Sequence, residues 1–242
     1  MNHLTPTDLP YVVRRIPKLV RELLQSSDRI FLGGGFIRDT IAGLPVKDVD
    51  LLGSSQMGLK AAAEELKAKY AADGGAKVVL HETDNAITLL APPRTPVQFI
   101  TRWTFDNPAA AMESFDFTVC QAVIFFGDGI WQSRCSERFY PDLAARRLVY
   151  TYPQREEEAG GSLMRVRKFL GRGWNIQADS LGGVVARLAQ KIEWSKLSAD
   201  RYDTKDGFEK AVGAVVAGLL REVDPLLIVN GLELIEDPGE GA

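Results

Sequence analysis

The chain has 242 residues, of which 45% are hydrophobic and 25% charged, and its formal net charge is -3. These values are typical of a globular protein with one large or two modest domains, and they argue against nucleic-acid binding through overall charge. No apolar run approaches the roughly 18 residues that a membrane-spanning helix needs, and the N-terminus lacks a signal-peptide pattern. We therefore expect a cytoplasmic protein without a membrane partner.

Residues 10–27 space their apolar side chains at helical intervals and predict one helix. The glycine-rich residues 29–52 follow and predict a strand, a turn, a helix, a turn and a second strand. Residues 58–72 are rich in strong helix formers and predict another helix. Three strands separated by turn residues are then predicted at residues 77–81, 86–91 and 96–102.

The second half of the chain has a different pattern. Residues 107–122 predict a helix, and the Gly127-Asp128-Gly129 turn predicts a hairpin between the apolar runs that flank it. The charged and glycine-rich residues 156–161 predict a domain boundary, with a sheet-containing domain at 1–158 and a helical domain at 159–242. Helices in this second domain are predicted at residues 163–172, 180–195 and 208–223.

Few residues of the chain are suited to zinc or disulfide chemistry. Cys120 and Cys135 are its two cysteines, and His3 and His81 are its two histidines. Because no CxxC pair is present, the sequence predicts neither a zinc site nor a disulfide framework.

The glycine-rich unit carries acidic residues at its far end. Asp48 and Asp50 are separated by one residue, so in a strand their side chains point to the same face, about 6.6 Å apart. Three consecutive glycines, Gly33 to Gly35, precede a helix start, where backbone N–H groups favour an anion. Glycines also occur in such turns for steric reasons alone, but the two features together suit a divalent cation bound to phosphate.

The Gly34–Asp39 segment, with Gly43 and the Asp48–Asp50 pair, resembles the signature of class II tRNA CCA-adding enzymes and bacterial poly(A) polymerases. These enzymes are polymerase-beta-like nucleotidyltransferases. Residues 115–122 resemble the family's Arg-Arg-Asp-Phe-Thr-Ile-Asn-Ala segment, and residues 163–174 resemble a later helix; in all, the resemblance covers roughly residues 25–180. It implies an α+β fold, in which a polymerase-beta-like palm, a mixed sheet flanked by helices, is joined to a small C-terminal helical domain.

The resemblance also implies roles for individual residues. Asp48 and Asp50 would be catalytic and would hold Mg²⁺ in a two-metal site that binds a nucleoside triphosphate. The implied nucleotide-binding residues are Gly34 and Gly35 around the phosphates, Arg38 neutralising them, and Asp116 near the sugar. Arg165 and Lys168 belong to a basic cluster that contacts either RNA or the triphosphate, or is a solvated helix face.

The sequence departs from this family at three places. Gln98 stands where the family has a third metal-binding carboxylate, which puts the second Mg²⁺ in question because an amide brings no negative charge. Ser114 and Phe115 replace the arginine pair, for which Arg94 or Arg102 would have to compensate. Residues 158–162 lack the Asp and Arg that select the base in CCA-adding enzymes, so CCA specificity is not expected.

Three functions therefore stay open. The first is a Mg²⁺-dependent nucleotidyltransferase that moves a nucleotide from an NTP to an acceptor hydroxyl, most simply the 3' end of a tRNA-like RNA. The second is a catalytically silent module that binds nucleotide or RNA. The third is transfer to a protein or a small molecule. About seventy residues follow Arg172, too few for the long helical body of a full CCA-adding enzyme.

Overall fold

The structure is a computed structural model that describes residues 2–74, 77–153, 160–197, 199–202 and 204–220. The described chain divides into two compact units. The first contains the residues up to 115 and residues 120–139, and the second contains residues 116–119 and the residues from 140 onward. The predicted boundary at residues 158 and 159 lies outside the described residues.

The secondary structure alternates helices and strands along the chain. The helices are α1 (Asp8–Val13), α2 (Lys18–Gln25), α3 (Gly35–Ile41), α4 (Gln56–Ala72), α5 (Pro108–Glu113), α6 (Phe139–Ala144), α7 (Gly161–Leu170), α8 (Ala178–Ala189) and α9 (Lys205–Leu219). The strands are β1 (Ile30–Gly33), β2 (Val49–Gly53), β3 (Val79–Glu82), β4 (Ala86–Leu90), β5 (Val97–Ile100), β6 (Ala122–Gly127), β7 (Ile130–Cys135), β8 (Arg147–Leu148) and β9 (Asn175–Ile176).

Seven of these strands form one sheet in the order β3-β4-β5-β2-β1-β6-β7. Strands β2 and β5 pair in parallel, and the other neighbours pair antiparallel. The predicted mixed sheet and the predicted hairpin of β6 and β7 are therefore confirmed. Strand β2 lies at the centre of the sheet, so the acidic residues at its start are held by neighbours on both sides.

Three predicted helices are wrong in extent: residues 10–27 form two helices, residues 107–122 form one short helix, and residues 180–195 are helical in α8 only up to Ala189. The first is broken at Pro17, which has an extended backbone with φ -50° and ψ 138° and separates α1 from α2. Proline has no N–H to donate to the preceding turn, so the helix is broken there. The periodic apolar pattern continues across the break and does not reveal it. Residues 107–122 form only α5, a 3-10 turn at Thr118–Cys120 and the start of β6. Their apolar residues are buried in two different places, Ala111 and Met112 against the sheet and Phe117 in the core of the second unit, rather than along one helix.

The two faces of the sheet are covered by different helices. Helix α4 contacts β2, β4 and β5, and its buried residues include Leu59 and Leu66. Helix α5 covers part of the opposite face, where its Ala111 and Met112 pack with Phe31 and Leu52. Since Asp50 and Leu52 are two residues apart on β2, the Asp50 side chain is on the α5 face.

The second unit is mainly helical and has its own aromatic core. Phe117 lies against Tyr150 and Phe169, with ring centroids 5.8 and 6.1 Å away. The short strands β8 and β9 pair in parallel beside α7, and β9 was not predicted. Among the described residues of both units, no helix is long and apolar enough to cross a membrane.

Candidate functional site

The predicted acidic pair lies at the start of the central strand of the first unit. Asp48 immediately precedes β2 and Asp50 is its second residue, and both are half-buried. Asp50 pairs with Gly33 of β1 on one side and with Gln98 of β5 on the other. Directly paired residues project to the same face of a sheet, so Asp50 and Gln98 share the face next to the glycine turn.

The same row of residues continues into the next two strands. Gln98 pairs with Thr88 of β4, and Thr88 pairs with His81 of β3. Gln98 is 5% exposed and Thr88 is completely buried. The Thr88 hydroxyl and the His81 Nε2 atom are buried and have no hydrogen-bond partner among the described residues, so this polar row extends beyond the residues that sequence reasoning identified.

The glycine turn is shaped by an aromatic ring. Gly34 has φ 68° and ψ -125°, and a Cβ placed on Gly33 would lie 2.9 Å from Cζ of Phe115. The ring therefore packs directly on the glycine backbone. Phe115 stands where the CCA-adding enzymes have an arginine, so this side of the turn is apolar. The Gly34 N–H donates to the Ala122 carbonyl over 3.1 Å and is committed to the sheet.

Arg38 is held inside the first unit, beneath this turn. It is 5% exposed, and its Nε and Nη2 atoms donate to the two carboxylate oxygens of Asp39 over 2.7 and 2.8 Å. Its Nη1 donates to Cys120 Sγ over 3.2 Å. Burial lowers the pKa of Arg38, but Cys120 and Asp39 outweigh this effect, so the pKa is raised overall and the guanidinium stays charged.

The predicted residues of the second unit also pair with one another. Asp116 has a side chain that is 2% exposed, and its Oδ2 accepts a 2.7 Å hydrogen bond from Nε of Arg165, which is 35% exposed. Lys168 lies one turn further along α7 and is half-buried. Arg146, Arg167 and Arg172 are exposed on this unit, so it presents a local basic surface on a protein of net negative charge.

The two arginines that would compensate for the missing arginine pair already have partners. Arg94 donates to Asp73 over 2.7 Å, and its guanidinium lies 4.7 Å from the Tyr70 ring centroid. Arg102 donates to Asn85 over 3.0 Å. Of the segment expected to select a base, residues 158 and 159 lie outside the described residues.

Three residues at the centre of the sheet carry the oxygen atoms that are predicted to hold a divalent cation. They are Asp48 and Asp50, which bring carboxylates, and Gln98, which brings a neutral amide on the same face as Asp50. Mg²⁺ is commonly held by one or two carboxylates together with substrate phosphates. Within the described residues, no group of three or more His, Cys, Asp or Glu side chains is placed to hold a metal ion.

Three contributors to this region were not identified from sequence. Thr88 occurs in an ordinary strand pattern, and only strand register brings it beside Gln98. Cys120 is considered from sequence only for a zinc site or a disulfide, whereas its sulfur accepts a hydrogen bond from Arg38. Phe115 was recorded as the loss of an arginine, whereas its ring supports the glycine turn. The last of these had a signal in sequence, since a large apolar residue replaced a charged one.

The fold is that of the nucleotidyltransferase domain of CCA-adding enzymes. The chain is similar to the Thermotoga maritima CCA-adding enzyme solved with tRNA, with 16% identity and a TM-score of 0.51 over 92% of this chain and 52% of that one. It is similar to a tRNA-processing enzyme in an apo form, with 19% identity and a TM-score of 0.51 over 77% and 48%. A further apo CCA-adding enzyme matches with 16% identity and a TM-score of 0.52 over 75% and 45%.

These likenesses establish the fold, and the chain spans about half the length of the solved structures it matches. No curated protein matches the chain. The model of the Gabija anti-defense 2 family protein, Gad2, matches residues 11–146, more than half of the chain. The chain belongs to the Gabija anti-defense 2 family. The resemblance to CCA-adding enzymes thus holds for the fold, whereas family membership lies elsewhere.

Proposed function

We propose that the chain is a metal-dependent nucleotidyltransferase that moves a nucleotide from an NTP to an acceptor hydroxyl. One observation carries this proposal, namely the strand register that aligns Gly33, Asp50 and Gln98 across three neighbouring strands. The register brings oxygen ligands together on one face, beside a glycine turn. A site that binds a cation and a triphosphate together needs this combination.

The proposed reaction is a displacement at the α-phosphorus of the NTP. The acceptor oxygen forms a bond to this phosphorus, the bond between the phosphorus and the bridging oxygen breaks, and pyrophosphate leaves. The hydroxyl proton passes to solvent. The products are the nucleotidylated acceptor and pyrophosphate, so no oxidant, reductant or further co-reactant is required.

Asp48 and Asp50 are the proposed catalytic ligands, with Gln98 as a neutral third ligand. When bound, Mg²⁺ supplies positive charge that stabilises the phosphoryl oxygens during the displacement. Gly34 and Gly35 have no side chains and allow the phosphates to approach the backbone. Arg38 is buried beneath this turn and forms an ion pair with Asp39. Its contact with a phosphate stays a prediction.

In the second unit, Asp116 is the proposed contact to the nucleotide sugar. Its bond to Arg165 supports a positioning role, because this bond orients the carboxylate while leaving lone pairs on both oxygens. Nucleotide contacts of Arg165 and Lys168 stay predictions as well.

The proposed acceptor is the 3' end of an RNA. The exposed arginines of the second unit support this choice, since a local basic surface attracts a phosphate backbone even on an acidic protein. A second candidate is a hydroxyl on a component of Gabija itself, because the family description names Gabija as what the family acts against. Transfer to that component would join an anti-defence role to nucleotidyltransferase chemistry.

A labelling experiment separates these alternatives. The purified chain is incubated with Mg²⁺ and each α-³²P-labelled NTP in turn, together with total RNA or with purified Gabija proteins. The Asp48→Asn/Asp50→Asn double variant tests the proposed ligands. Asp84→Asn is the matched control, because it removes one carboxylate from an exposed turn of the same unit.

We expect label in RNA with the wild type and with Asp84→Asn, and a loss of at least 100-fold in the double variant. Label in a Gabija protein with the same dependence would favour the second acceptor. Absence of label from both pools, together with no release of pyrophosphate from any NTP, would contradict the enzyme assignment. Retained NTP binding would then support a silent nucleotide-binding module.

A further inference from the structure

The Thr88 side chain is buried without a visible structural reason. It is completely buried in β4, and its hydroxyl has no hydrogen-bond partner among the described residues. An unsatisfied buried hydroxyl destabilises a fold, and valine would fill nearly the same space without that cost. A threonine at this position therefore suggests that the hydroxyl serves the polar face on which it lies.

Strand register places this hydroxyl next to the predicted third ligand. Thr88 pairs directly with Gln98, and Gln98 pairs directly with Asp50. The Cβ atoms of directly paired residues lie about 5 Å apart, so the Thr88 hydroxyl, which makes no hydrogen bond to a described residue, would reach the Gln98 amide after a change of side-chain rotamer. Asp50 is the directly paired neighbour of Gln98 on the opposite side, so Gln98 lies between an acidic and a hydroxyl-bearing residue.

The chemistry of an amide then determines which end faces which neighbour. Only the amide oxygen of Gln98 coordinates a cation, and its NH₂ group needs a hydrogen-bond acceptor when the residue is buried. The Thr88 oxygen is an acceptor on the side away from Asp50. If it accepts from the NH₂ group, the amide oxygen turns toward Asp50 and toward the cation.

We infer that Thr88 is a positioning residue which orients Gln98 as a neutral ligand, and that the site takes a single divalent cation with its nucleotide. This inference rests on the proposed function and specifies the metal content of that site. A carboxylate in place of Gln98 would bring the negative charge that a second cation needs. The amide brings none, so one cation is held by Asp48, Asp50, Gln98 and the phosphates together.

Cation stoichiometry is a readout that is independent of turnover. Mn²⁺ binding is measured by electron paramagnetic resonance with non-hydrolysable α,β-methylene analogues of the four NTPs, each tested separately. For the wild type we expect one bound Mn²⁺ per chain, dependent on the analogue. Thr88→Val should weaken this Mn²⁺ by about 10-fold or more, as is typical when a residue that orients a metal ligand is lost.

Two further variants distinguish positioning from packing. Thr88→Ser keeps the hydroxyl and should retain Mn²⁺ affinity within about threefold of the wild type, although it loses a methyl group from the interior. Gln98→Glu should bind two Mn²⁺ ions per chain. Thermal unfolding of each variant should show that Thr88→Val is at least as stable as the wild type, so that weaker binding does not come from misfolding.

Two bound Mn²⁺ ions in the wild type would overturn the inference, as would unchanged affinity in Thr88→Val. A single ion in Gln98→Glu would also overturn it. If the folded wild type binds no analogue-dependent Mn²⁺, and the Asp48→Asn variant behaves identically, the proposed function itself fails. These results differ from one another, so the two failures are distinguishable.

Discussion

Replacing Gly34 by alanine perturbs the turn on which the proposed site depends. At φ 68° and ψ -125°, a side chain strains the backbone by about 1 to 3 kcal/mol. The new Cβ would also lie 3.0 Å from Cε1 and 3.2 Å from Cζ of Phe115. Displacing this partly buried ring costs about 1 kcal/mol more, so we expect a total loss of about 2 to 4 kcal/mol in the free energy of unfolding.

Urea denaturation followed by circular dichroism measures this loss. Gly43→Ala is the matched control, because Gly43 also has a positive φ of 67° but a Cβ there would meet nothing within 4 Å. It should cost about 1 to 2 kcal/mol, from backbone strain alone. The double variant Gly34→Ala/Phe115→Ala should lose less than the sum of its single variants, since without the ring the added methyl group has nothing to displace.

If Gly34→Ala proved as stable as the wild type, neither backbone strain at Gly34 nor the Phe115 ring would constrain the turn. Equal losses in Gly34→Ala and Gly43→Ala would refute the steric part alone, because the Phe115 ring would then not constrain the turn. Strict additivity in the double variant would lead to the same conclusion by an independent route.

Two further predictions concern buried groups of the first unit. Asp39→Ala removes both carboxylate oxygens that accept hydrogen bonds from the buried Arg38 guanidinium. It should lower the free energy of unfolding, measured in urea, by about 3 to 5 kcal/mol. A loss below about 1 kcal/mol would contradict the burial of this pair. Burial raises the pKa of the Cys135 thiol from 9.0 to about 11. As the pH rises, the unfolded chain therefore releases this proton before the folded chain does. The free energy of unfolding should fall by about 1 to 3 kcal/mol between pH 9 and 11. Cys135→Ala should reduce this fall, and an identical pH profile for the variant would contradict it.

Much of the first unit could be predicted from local patterns. The alternation of strands and turns between residues 77 and 102 corresponds to β3, β4 and β5 within two residues at each end. The hairpin of β6 and β7 was marked by its glycine turn, and α4 by a run of strong helix formers. These elements are determined by neighbours in sequence, so their residues alone predict them.

The wrong predictions share a cause, which is that the apolar spacing of a helix is also compatible with other structures. Pro17 interrupts a periodic run without changing its apolar residues. Residues 116–122 are all buried, polar ones included, because they pass through a turn into β6, an inner strand of the sheet. Burial there comes from tertiary packing, which a local pattern does not distinguish from the packing of a helix face.

The sequence by itself predicts that Asp48 and Asp50 share a face beside a glycine turn, because side chains alternate along a strand. The structure pairs Asp50 with Gly33 of that turn, whereas Asp48 precedes the strand and its share in this face stays a prediction. The sequence also identified Gln98 as the neutral residue in place of a carboxylate, through the resemblance to a known signature. Only the tertiary structure decided that Thr88 borders Gln98, that Phe115 covers the glycine turn and that Cys120 joins the Arg38–Asp39 pair. These contacts join residues from 10 to 82 positions apart in sequence. Strand register and packing select the partners, and a local sequence pattern contains no information about either.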